Sequence, residues 1–257
     1  MSEAVGELAL SVSDLSLEFG GLLAIDNVSA EVEAGSTVGI IGPNGAGKTS
    51  FLNCLSGLYK PTRGIIELYG DDITKLPAYQ RLGRGLSRTF QHVELPPGTV
   101  LESLLTARHH LMRQSIGWSA LYVGRCKTEE KDHRIRVREL AEVCGVEGVL
   151  GRPCRELNLA TQKLVAICRA LVSEPRVILL DEPSSGLSPE ECGALIPVVE
   201  TIKQMSGVTV VVVEHNLGVV RRLCDKVIMM NFGRKLADGP VETVLGSAEV
   251  RLAYLGR

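Results

Sequence analysis

The sequence predicts an α/β fold whose central sheet is mostly parallel and is covered by helices on both faces. The first observation is a set of continuous apolar runs with helical patterns between them, which is typical of parallel strands buried on both sides. The second is a β-rich opening, and the third is a helical stretch at about residues 93–172 that interrupts the α/β pattern. The apolar runs lie at residues 38–41, 177–180, 208–213 and 227–230.

The opening of the chain has the pattern of strands joined by turns. Apolar and polar residues alternate at residues 8–12 and again at 15–19, which predicts one strand interrupted by a bulge or bend at Ser13-Asp14. The alternation returns at residues 28–32. A further short strand is predicted at residues 65–69, after a turn that contains proline and glycine.

Three helices are predicted in the interrupting stretch, at residues 100–111, 129–143 and 161–172. This block has the pattern of a helical insertion into an α/β core. A polar cluster at residues 127–134 opens the second helix, and we favour a solvated helix face over a charged docking surface. We do not expect His109 and His110 to bind a metal together, because neighbours on a helix point about 100° apart.

Length and composition suit one large α/β domain, or one domain with a substantial insertion. The 257 residues are 45% hydrophobic and 23% charged with a formal charge of −2, which argues against broad electrostatic binding to nucleic acid or to an acidic membrane. The seven cysteines include no C-x-x-C pair and are predicted to be reduced core residues. The acidic N-terminus is unlike a signal peptide, and no apolar stretch approaches the about 18 residues of a transmembrane helix. We therefore expect a cytoplasmic protein that meets a membrane only through a partner.

Residues 42–49 are the most informative stretch, because they fit the pattern G-x-x-x-x-G-K-[ST] between an apolar strand and a helical pattern. Glycines let backbone N–H groups close around phosphate oxygens, and the helix N-terminus adds a favourable dipole. Lys48 supplies a point charge, and the Thr49 hydroxyl can ligate magnesium. A turn that binds nothing is the alternative, but it needs no Lys-Thr pair. The predicted nucleotide-binding residues here are Gly42, Pro43, Asn44, Gly45, Ala46, Gly47, Lys48, Thr49 and Ser50.

Two acids at the end of a buried strand supply the second half of the predicted site. Asp181 and Glu182 follow the apolar run at residues 177–180, and ligands of parallel sheets gather at the carboxyl ends of strands. We expect Asp181 to hold magnesium and Glu182 to polarise the water that attacks the γ-phosphate, although an N-cap-like role for Glu182 before Pro183 stays open. His215 ends the next apolar strand, and its imidazole can donate a hydrogen bond to the γ-phosphate unless it is a core histidine.

With the phosphate loop, the acid pair and the strand-end histidine in this order, the chain resembles the ATP-binding subunits of ABC transporters over residues 8–255. The resemblance implies a P-loop (RecA-like) core with a mostly parallel sheet, an N-terminal antiparallel β subdomain and an inserted helical subdomain. It implies a single domain at residues 1–257, with the core at 1–92 and 173–257 and the helical subdomain at 93–172. It also implies ATP and Mg²⁺ as cofactors, with Glu182 and His215 as catalytic residues.

Further positions match the pattern of this family. Phe19 matches the aromatic residue that stacks on adenine, and Gln91 matches the glutamine that reaches magnesium and the attacking water. Residues 185–188 match the loop that crosses a dimer interface, although Ser188 replaces the usual Asp or Asn. The segment around Gln91 and the C-terminal residues 253–256 look most like subunits of branched-chain amino acid importers.

The signature of the family, usually Leu-Ser-Gly-Gly-Gln, falls on the altered segment Leu157-Asn158-Leu159-Ala160-Thr161. Leu159 stands where the subfamily often replaces a glycine, but Ala160 adds a methyl where backbone should approach the γ-phosphate closely. Asn158 can still offer a side-chain donor, and Thr161 can cap the following helix.

The altered signature bears on the expected partners. Two ATP-binding subunits of such transporters pair head to tail, so that each signature completes the phosphate site of the other. We therefore expect a heterodimer with a different ATP-binding subunit rather than a homodimer. The resemblance also implies membrane permease subunits, indirect contact with an external solute-binding protein, no nucleic acid, and a peripheral position on the inner face of the cell membrane.

The expected function is ATP binding and hydrolysis that energise an ABC importer, for branched-chain amino acids or a related small solute. One alternative is a non-transport ABC-type ATPase, but such proteins usually carry long coiled-coil insertions or two cassettes, for which 257 residues leave no room. The other is a regulatory nucleotide-binding module with little turnover, which Glu182 and His215 argue against.

Overall fold

The computed structural model describes residues 7–111 and 125–255. Residues 1–6, the side chains of residues 125–129 and Gly256 lie outside the described residues, although some of the sequence predictions concern them. Within the described part, no helix combines the length and the apolar character needed to span a membrane.

The strands of the described residues form two sheets. They are β1 (Leu8–Phe19), β2 (Leu22–Glu33), β3 (Thr37–Ile41), β4 (Arg63–Leu68), β5 (Asp71–Asp72), β6 (Leu86–Arg88), β7 (Val177–Asp181), β8 (Thr209–Val213), β9 (Lys226–Asn231) and β10 (Arg234–Pro240). The first sheet has the order β2-β1-β4-β5 and is antiparallel. The second has the order β10-β9-β3-β8-β7-β6, and only the edge strand β10 is antiparallel to its neighbour. The predicted α/β class, with a mostly parallel main sheet and an antiparallel N-terminal sheet, is confirmed.

The helices cover the main sheet and fill the block between β6 and β7. They are α1 (Lys48–Ser56), α2 (Ala78–Gly83), α3 (Val100–Ala107), α4 (Arg125–Val143), α5 (Leu159–Leu171), α6 (Pro189–Ser206), α7 (Leu217–Leu223), α8 (Val241–Gly246) and α9 (Ala248–Leu255). The helix predicted at residues 100–111 was too long, because α3 ends at Ala107 and a 3₁₀ turn follows at His109–Leu111. The strands β5, β6 and β10 were not predicted.

Alternating side chains of the main sheet enter two separate cores. On β8, Val210 and Val212 belong to the core shared with α4, α5 and α6, whereas Val211 and Val213 belong to the core shared with α1 and the antiparallel sheet. All four are at most 1% exposed. This double burial explains why the parallel strands appear as uninterrupted apolar runs in the sequence.

The bulge predicted in β1 is present. The pairing of β1 with β2 shifts between Val12 and Leu15, and Asp14 there has φ 50°. The left-handed backbone at Asp14 turns the strand, so that its two halves keep their apolar faces on the core.

The polar cluster at the start of α4 differs in part from the expected solvated face. Glu130 and Arg134 form an exposed ion pair at 2.9 Å, as expected of such a face. His133, however, is buried, and its Nδ1 accepts a hydrogen bond from Nε of Arg108 at 3.0 Å. The Arg108 guanidinium also donates to the carbonyl of Val172 at 2.6 Å, which joins the end of α3 to the end of α5 within the helical block.

The cysteines follow their prediction where their side chains are described. Each of these six is buried and free, and they are Cys54, Cys144, Cys154, Cys168, Cys192 and Cys224. Among the described residues, no group of three or more His, Cys, Asp or Glu side chains is arranged to hold a metal ion.

Candidate functional site

The phosphate-loop pattern lies between the carboxyl end of β3 and the N-terminus of α1. Gly42 has φ 149°, and a Cβ there would lie 2.2 Å from the carbonyl oxygen of Met230. Gly47, the N-cap of α1, has φ 94°, and a Cβ there would lie 2.7 Å from the carbonyl oxygen of Ala24. Glycine is required at both places by backbone conformation and by space. No side chain caps α1, so its first-turn N–H groups are free to bind an anion.

Lys48 is the first residue of α1, and its ammonium is bound to the start of the phosphate-loop segment. Its Nζ donates to the carbonyl oxygens of Gly42 at 2.7 Å and Pro43 at 3.0 Å, and the residue is only 6% exposed. Burial lowers the pKa of its ammonium, and the carboxylate of Glu182 partly offsets that effect. The next residue, Thr49, is exposed, so its hydroxyl is accessible.

Asp181 ends β7 with one carboxylate oxygen bonded and the other unpaired. Its Oδ2 accepts a hydrogen bond from Nη2 of Arg88 at 2.8 Å, whereas its buried Oδ1 has no hydrogen-bond partner among the described residues. A buried carboxylate oxygen without a partner is costly unless a ligand completes it. Carboxylate and hydroxyl oxygens are ligands that magnesium prefers, so Asp181 and Thr49 fit this ion.

Glu182, Gln91 and His215 meet beside Asp181. Oε2 of Glu182 accepts a hydrogen bond from Nε2 of Gln91 at 2.6 Å and lies 3.9 Å from Nδ1 of His215. Glu182 has φ 45°, and its N–H donates to the carbonyl of Val213 at 2.9 Å. An open cavity of about 390 Å³ adjoins this group and is lined in part by Gln91 and Asp181.

Two alternatives left open by the sequence are wrong. Glu182 does not cap a helix, because the following helix, α6, begins at Pro189 and is capped by the Ser188 hydroxyl. His215 is not a core histidine, because 53% of its side chain is exposed. Both residues therefore present polar side chains at the site instead of serving the local fold.

Phe19 lies at the end of β1 with 45% of its surface exposed. Its ring packs edge to face on Tyr59, with 5.2 Å between the ring centroids. A ring exposed to this extent can stack on a base. Its assignment to adenine stays a prediction.

The signature-like segment forms the start of α5. Leu157 is buried, and Asn158 is the N-cap, with its Oδ1 accepting a hydrogen bond from the N–H of Thr161 at 2.9 Å. The suggestion that Thr161 caps this helix is therefore wrong, because Thr161 already lies in the first turn. Leu159 is 44% exposed and lies against Gly186, where a Cβ would be 3.1 Å from its Cδ2. The signature-like segment and the loop at residues 185–188 are thus neighbours.

Three buried charged residues around the site, Lys163, Glu214 and Arg88, were not predicted from the sequence. Nζ of Lys163 donates to the carbonyl of Glu182 at 2.9 Å, and burial lowers its pKa while the carboxylates of Glu214 and Glu182 partly offset that effect. Glu214 is fully buried, and Arg88 holds Asp181. In the sequence, a charged residue within an apolar run or helix face indicates that the charge is buried. It does not indicate which groups that charge contacts.

Comparisons with known proteins agree with this geometry. The family model described as ABC transporter matches residues 25–185. The high-affinity branched-chain amino acid transport ATP-binding protein BraF of Pseudomonas aeruginosa is 35% identical over 96% of this chain and 97% of that protein. The corresponding protein LivG of Escherichia coli K12 is 36% identical over the same shares.

Solved structures with the same architecture span nearly the whole chain. A nucleotide-free ATP-binding cassette from an ABC transporter superposes with a TM-score of 0.81 at 28% identity, covering 97% of this chain and 100% of that one. The ADP conformation of such a cassette also gives a TM-score of 0.81 at 28% identity, covering 97% and 99%. The likeness therefore includes both sheets and the helical block between β6 and β7.

Proposed function

Because this chain belongs to the ABC transporter family, we propose that it binds and hydrolyses ATP to drive the import of branched-chain amino acids or a related small solute. Membership rests on the family model and on relatives that are 35–36% identical along nearly the whole chain. The predictions of the family and of an ABC-type ATP hydrolase are confirmed. The names of the relatives, branched-chain amino acid transport ATP-binding proteins, support the proposed solute.

Residues 42–50 form the nucleotide site in this proposal. The first-turn N–H groups of α1 bind phosphate oxygens, and the loop glycines allow the backbone to approach them. The ammonium of Lys48 donates two of its three N–H groups to the carbonyls of Gly42 and Pro43, and its third N–H binds a phosphate oxygen. Phe19 provides a ring for the adenine. Asp181, Thr49 and Gln91 hold magnesium, which when bound neutralises part of the phosphate charge.

Hydrolysis depends on Glu182, Gln91 and His215, and their meeting at one point is the observation that carries this part of the proposal. Glu182 orients and polarises the attacking water, and Gln91, bonded to its carboxylate at 2.6 Å, fixes the direction of that side chain. His215 is exposed 3.9 Å from the same carboxylate and donates a hydrogen bond to the γ-phosphate. Catalysis is then positioning and charge stabilisation, without a covalent intermediate.

The alternative of a regulatory module with little turnover is disfavoured by this arrangement. A module that only binds nucleotide does not need a carboxylate held by a glutamine beside an accessible imidazole. The other alternative is a non-transport ABC-type ATPase. It is disfavoured because the alignments of this chain with the transport relatives cover 97% of the length of those relatives.

The altered signature favours pairing with a different ATP-binding subunit. The start of α5 would face the nucleotide of the partner. There Ala160 adds a methyl group, and Leu159 adds an exposed apolar side chain. The Oδ1 of Asn158 already caps α5, so only the side-chain amide N–H groups of Asn158 can donate to the nucleotide of the partner. This chain therefore receives a complete signature from its partner and supplies a weaker one in return.

The remaining expectations complete the proposed assembly. One domain at residues 1–257 sits on permease subunits at the cytoplasmic face of the cell membrane, and an external solute-binding protein delivers the solute. Deleting the gene for this chain should abolish uptake of radiolabelled leucine. Uptake that persists without the chain would argue for another solute.

The hydrolytic assignment is tested with Glu182→Gln in the assembled complex. Glu142→Gln, on the exposed side of α4, is the matched control because it makes the same chemical change away from the site. We expect ATP turnover to fall by about 100-fold or more with Glu182→Gln while nucleotide still binds, because a positioned general base contributes at least that much. Turnover like that of the control would contradict the role of Glu182.

The same assay tests the pairing. If the two sites are unequal, Glu182→Gln in this chain should reduce turnover as much as the equivalent change in both subunits together. A small loss would refute the unequal sites. Strong turnover by a homodimer of this chain alone would refute the heterodimer.

A further inference from the structure

We propose that Tyr254, on the C-terminal helix α9, is a positioning residue that holds the start of the phosphate loop in its nucleotide-binding conformation. This inference rests on the proposed function of residues 42–50. It gives the C-terminal segment a direct structural connection to ATP binding.

The contact is a hydrogen bond between distant parts of the chain. The hydroxyl oxygen of Tyr254 accepts from the backbone N–H of Gly42 at 2.9 Å, across 212 positions of sequence. The carbonyl of the same glycine accepts from Nζ of Lys48 at 2.7 Å. Gly42 is therefore held on its N–H by Tyr254 and on its carbonyl by the lysine of the loop.

The N–H of Gly42 needs this acceptor. The ladder between β3 and β9 ends at the pair Ile41 and Met229, one residue before Gly42. Gly42 is buried, and a Cβ there would lie 2.2 Å from the carbonyl of Met230, so the surroundings are tightly filled. A buried N–H without a partner is costly, and the Tyr254 hydroxyl supplies the acceptor where the sheet no longer does.

Helix α9 places the tyrosine at this position. Val250 is 2% exposed and lies one turn before Tyr254, so both side chains are on the face that packs on the core shared with α4, α5 and α6. The hydroxyl of Ser247, just before the helix, accepts from the N–H of Val250 at 3.3 Å and fixes the helix start. Burial raises the pKa of the Tyr254 hydroxyl, with the N–H of Gly42 partly offsetting it, so the group stays neutral at physiological pH.

The test removes this hydroxyl alone. Tyr254→Phe keeps the ring and its packing, and Tyr69→Phe is the matched control. Tyr69 packs its ring 3.2 Å from the guanidinium carbon of Arg176, and the structure gives its hydroxyl no hydrogen bond within the described residues. Lys48→Ala serves as the reference for loss of phosphate binding.

Three quantities are measured on the full chain: the Kd for ATP, the hydrogen-exchange rate of the Gly42 amide and the thermal midpoint. For Tyr254→Phe we expect a Kd about 3- to 10-fold higher and exchange at Gly42 faster by a similar factor or more, as loss of one buried hydrogen bond allows. The kcat of the assembled complex should change much less than its KM, and Tyr69→Phe should leave the Kd and the Gly42 exchange unchanged.

Each of the other possible results of these measurements shows whether the role of Tyr254 or the proposed nucleotide site is wrong. An unchanged Kd and unchanged exchange at Gly42 overturn the role of Tyr254 while leaving the proposed nucleotide site intact. Faster exchange throughout β3, β8 and β9 with a lower thermal midpoint indicates a merely structural tyrosine and also overturns it. If Lys48→Ala leaves the Kd unchanged, the nucleotide site itself is misplaced, and the inference falls with it.

Discussion

Replacing Arg88 should destabilise the fold far more than replacing an arginine that forms a similar ion pair at the surface. Arg88 ends β6, and its guanidinium donates to Oδ2 of Asp181 at 2.8 Å, to Oδ1 of Asn53 at 2.7 Å and to Oγ of Ser56 at 2.7 Å. The side chains of Arg88 and Asp181 are 7% and 4% exposed. One buried cation thus joins α1, which follows the phosphate loop, to the predicted magnesium ligand.

The expected loss follows from this burial. Removing one partner of a buried ion pair leaves an uncompensated charge and typically costs about 3–5 kcal/mol. Arg88→Ala also leaves Asn53 and Ser56 without this donor, so we place the loss of unfolding free energy in that range. In the pair of Arg134 with Glu130, the atoms are 2.9 Å apart but the side chains are 49% and 45% exposed. Arg134→Ala should therefore cost at most about 1 kcal/mol, as expected of a surface pair.

Urea unfolding of the isolated chain measures both losses, and Arg88→Lys tests the geometry. Lysine keeps the charge but cannot present the planar fork of donors, so its loss should lie between those of wild type and Arg88→Ala. A double-mutant cycle with Asp181→Asn isolates the pair itself. Equal losses for Arg88→Ala and Arg134→Ala would show that burial does not set the strength of these contacts, and would refute the reasoning.

Two further predictions concern the phosphate loop and the buried thiols. Gly42→Ala should unfold at a clearly lower temperature than Gly45→Ala, because both glycines have positive φ but only Gly42 has backbone within 2.2 Å of a new Cβ; similar midpoints would contradict this. Burial raises the pKa of the Cys54 and Cys224 thiols to about 12 from an ordinary 9.0. Their contribution to stability is therefore full below pH 9.0 and is lost as the pH rises toward 12. Thermal midpoints should fall more steeply above pH 9.0 in the wild type than in Cys54→Ala/Cys224→Ala, and parallel curves would refute this.

The parts of the fold that were predicted correctly have local causes. Parallel strands buried on both faces must be apolar throughout, so continuous apolar runs in the sequence indicate β3, β7, β8 and β9. The edge strand β10 buries none of its residues fully, so it has no apolar pattern to detect. The strand β6 has three residues, too few for any periodicity, although it leads directly toward Gln91.

The phosphate-loop pattern was recognisable in the sequence because the chemistry that it predicts is contiguous. In the proposed site, backbone N–H groups, a lysine and a threonine of one short segment act together, so the spacing that they require is visible in the sequence. The N-cap residue of α5, in contrast, could not be predicted from the local sequence. Both Asn158 and Thr161 are able to cap a helix, and the choice depends on whether the first helical residue is Leu159 or lies later.

Glu214 shows why an acid at a strand end does not by itself mark a ligand. Like Asp181 and Glu182, it follows a buried apolar strand, so the sequence pattern treats the three alike. Yet its Oε1 accepts from the N–H of Ser184 at 2.8 Å, and its Oε2 lies 3.2 and 3.3 Å from the N–H groups of His215 and Asn216. With both oxygens occupied by backbone, Glu214 binds together the loop after Glu182 and the loop that carries His215. Asp181 differs because its Oδ1 is left without a partner. The distinction depends on which donors surround each oxygen, and those donors come from loops whose positions only the folded chain determines.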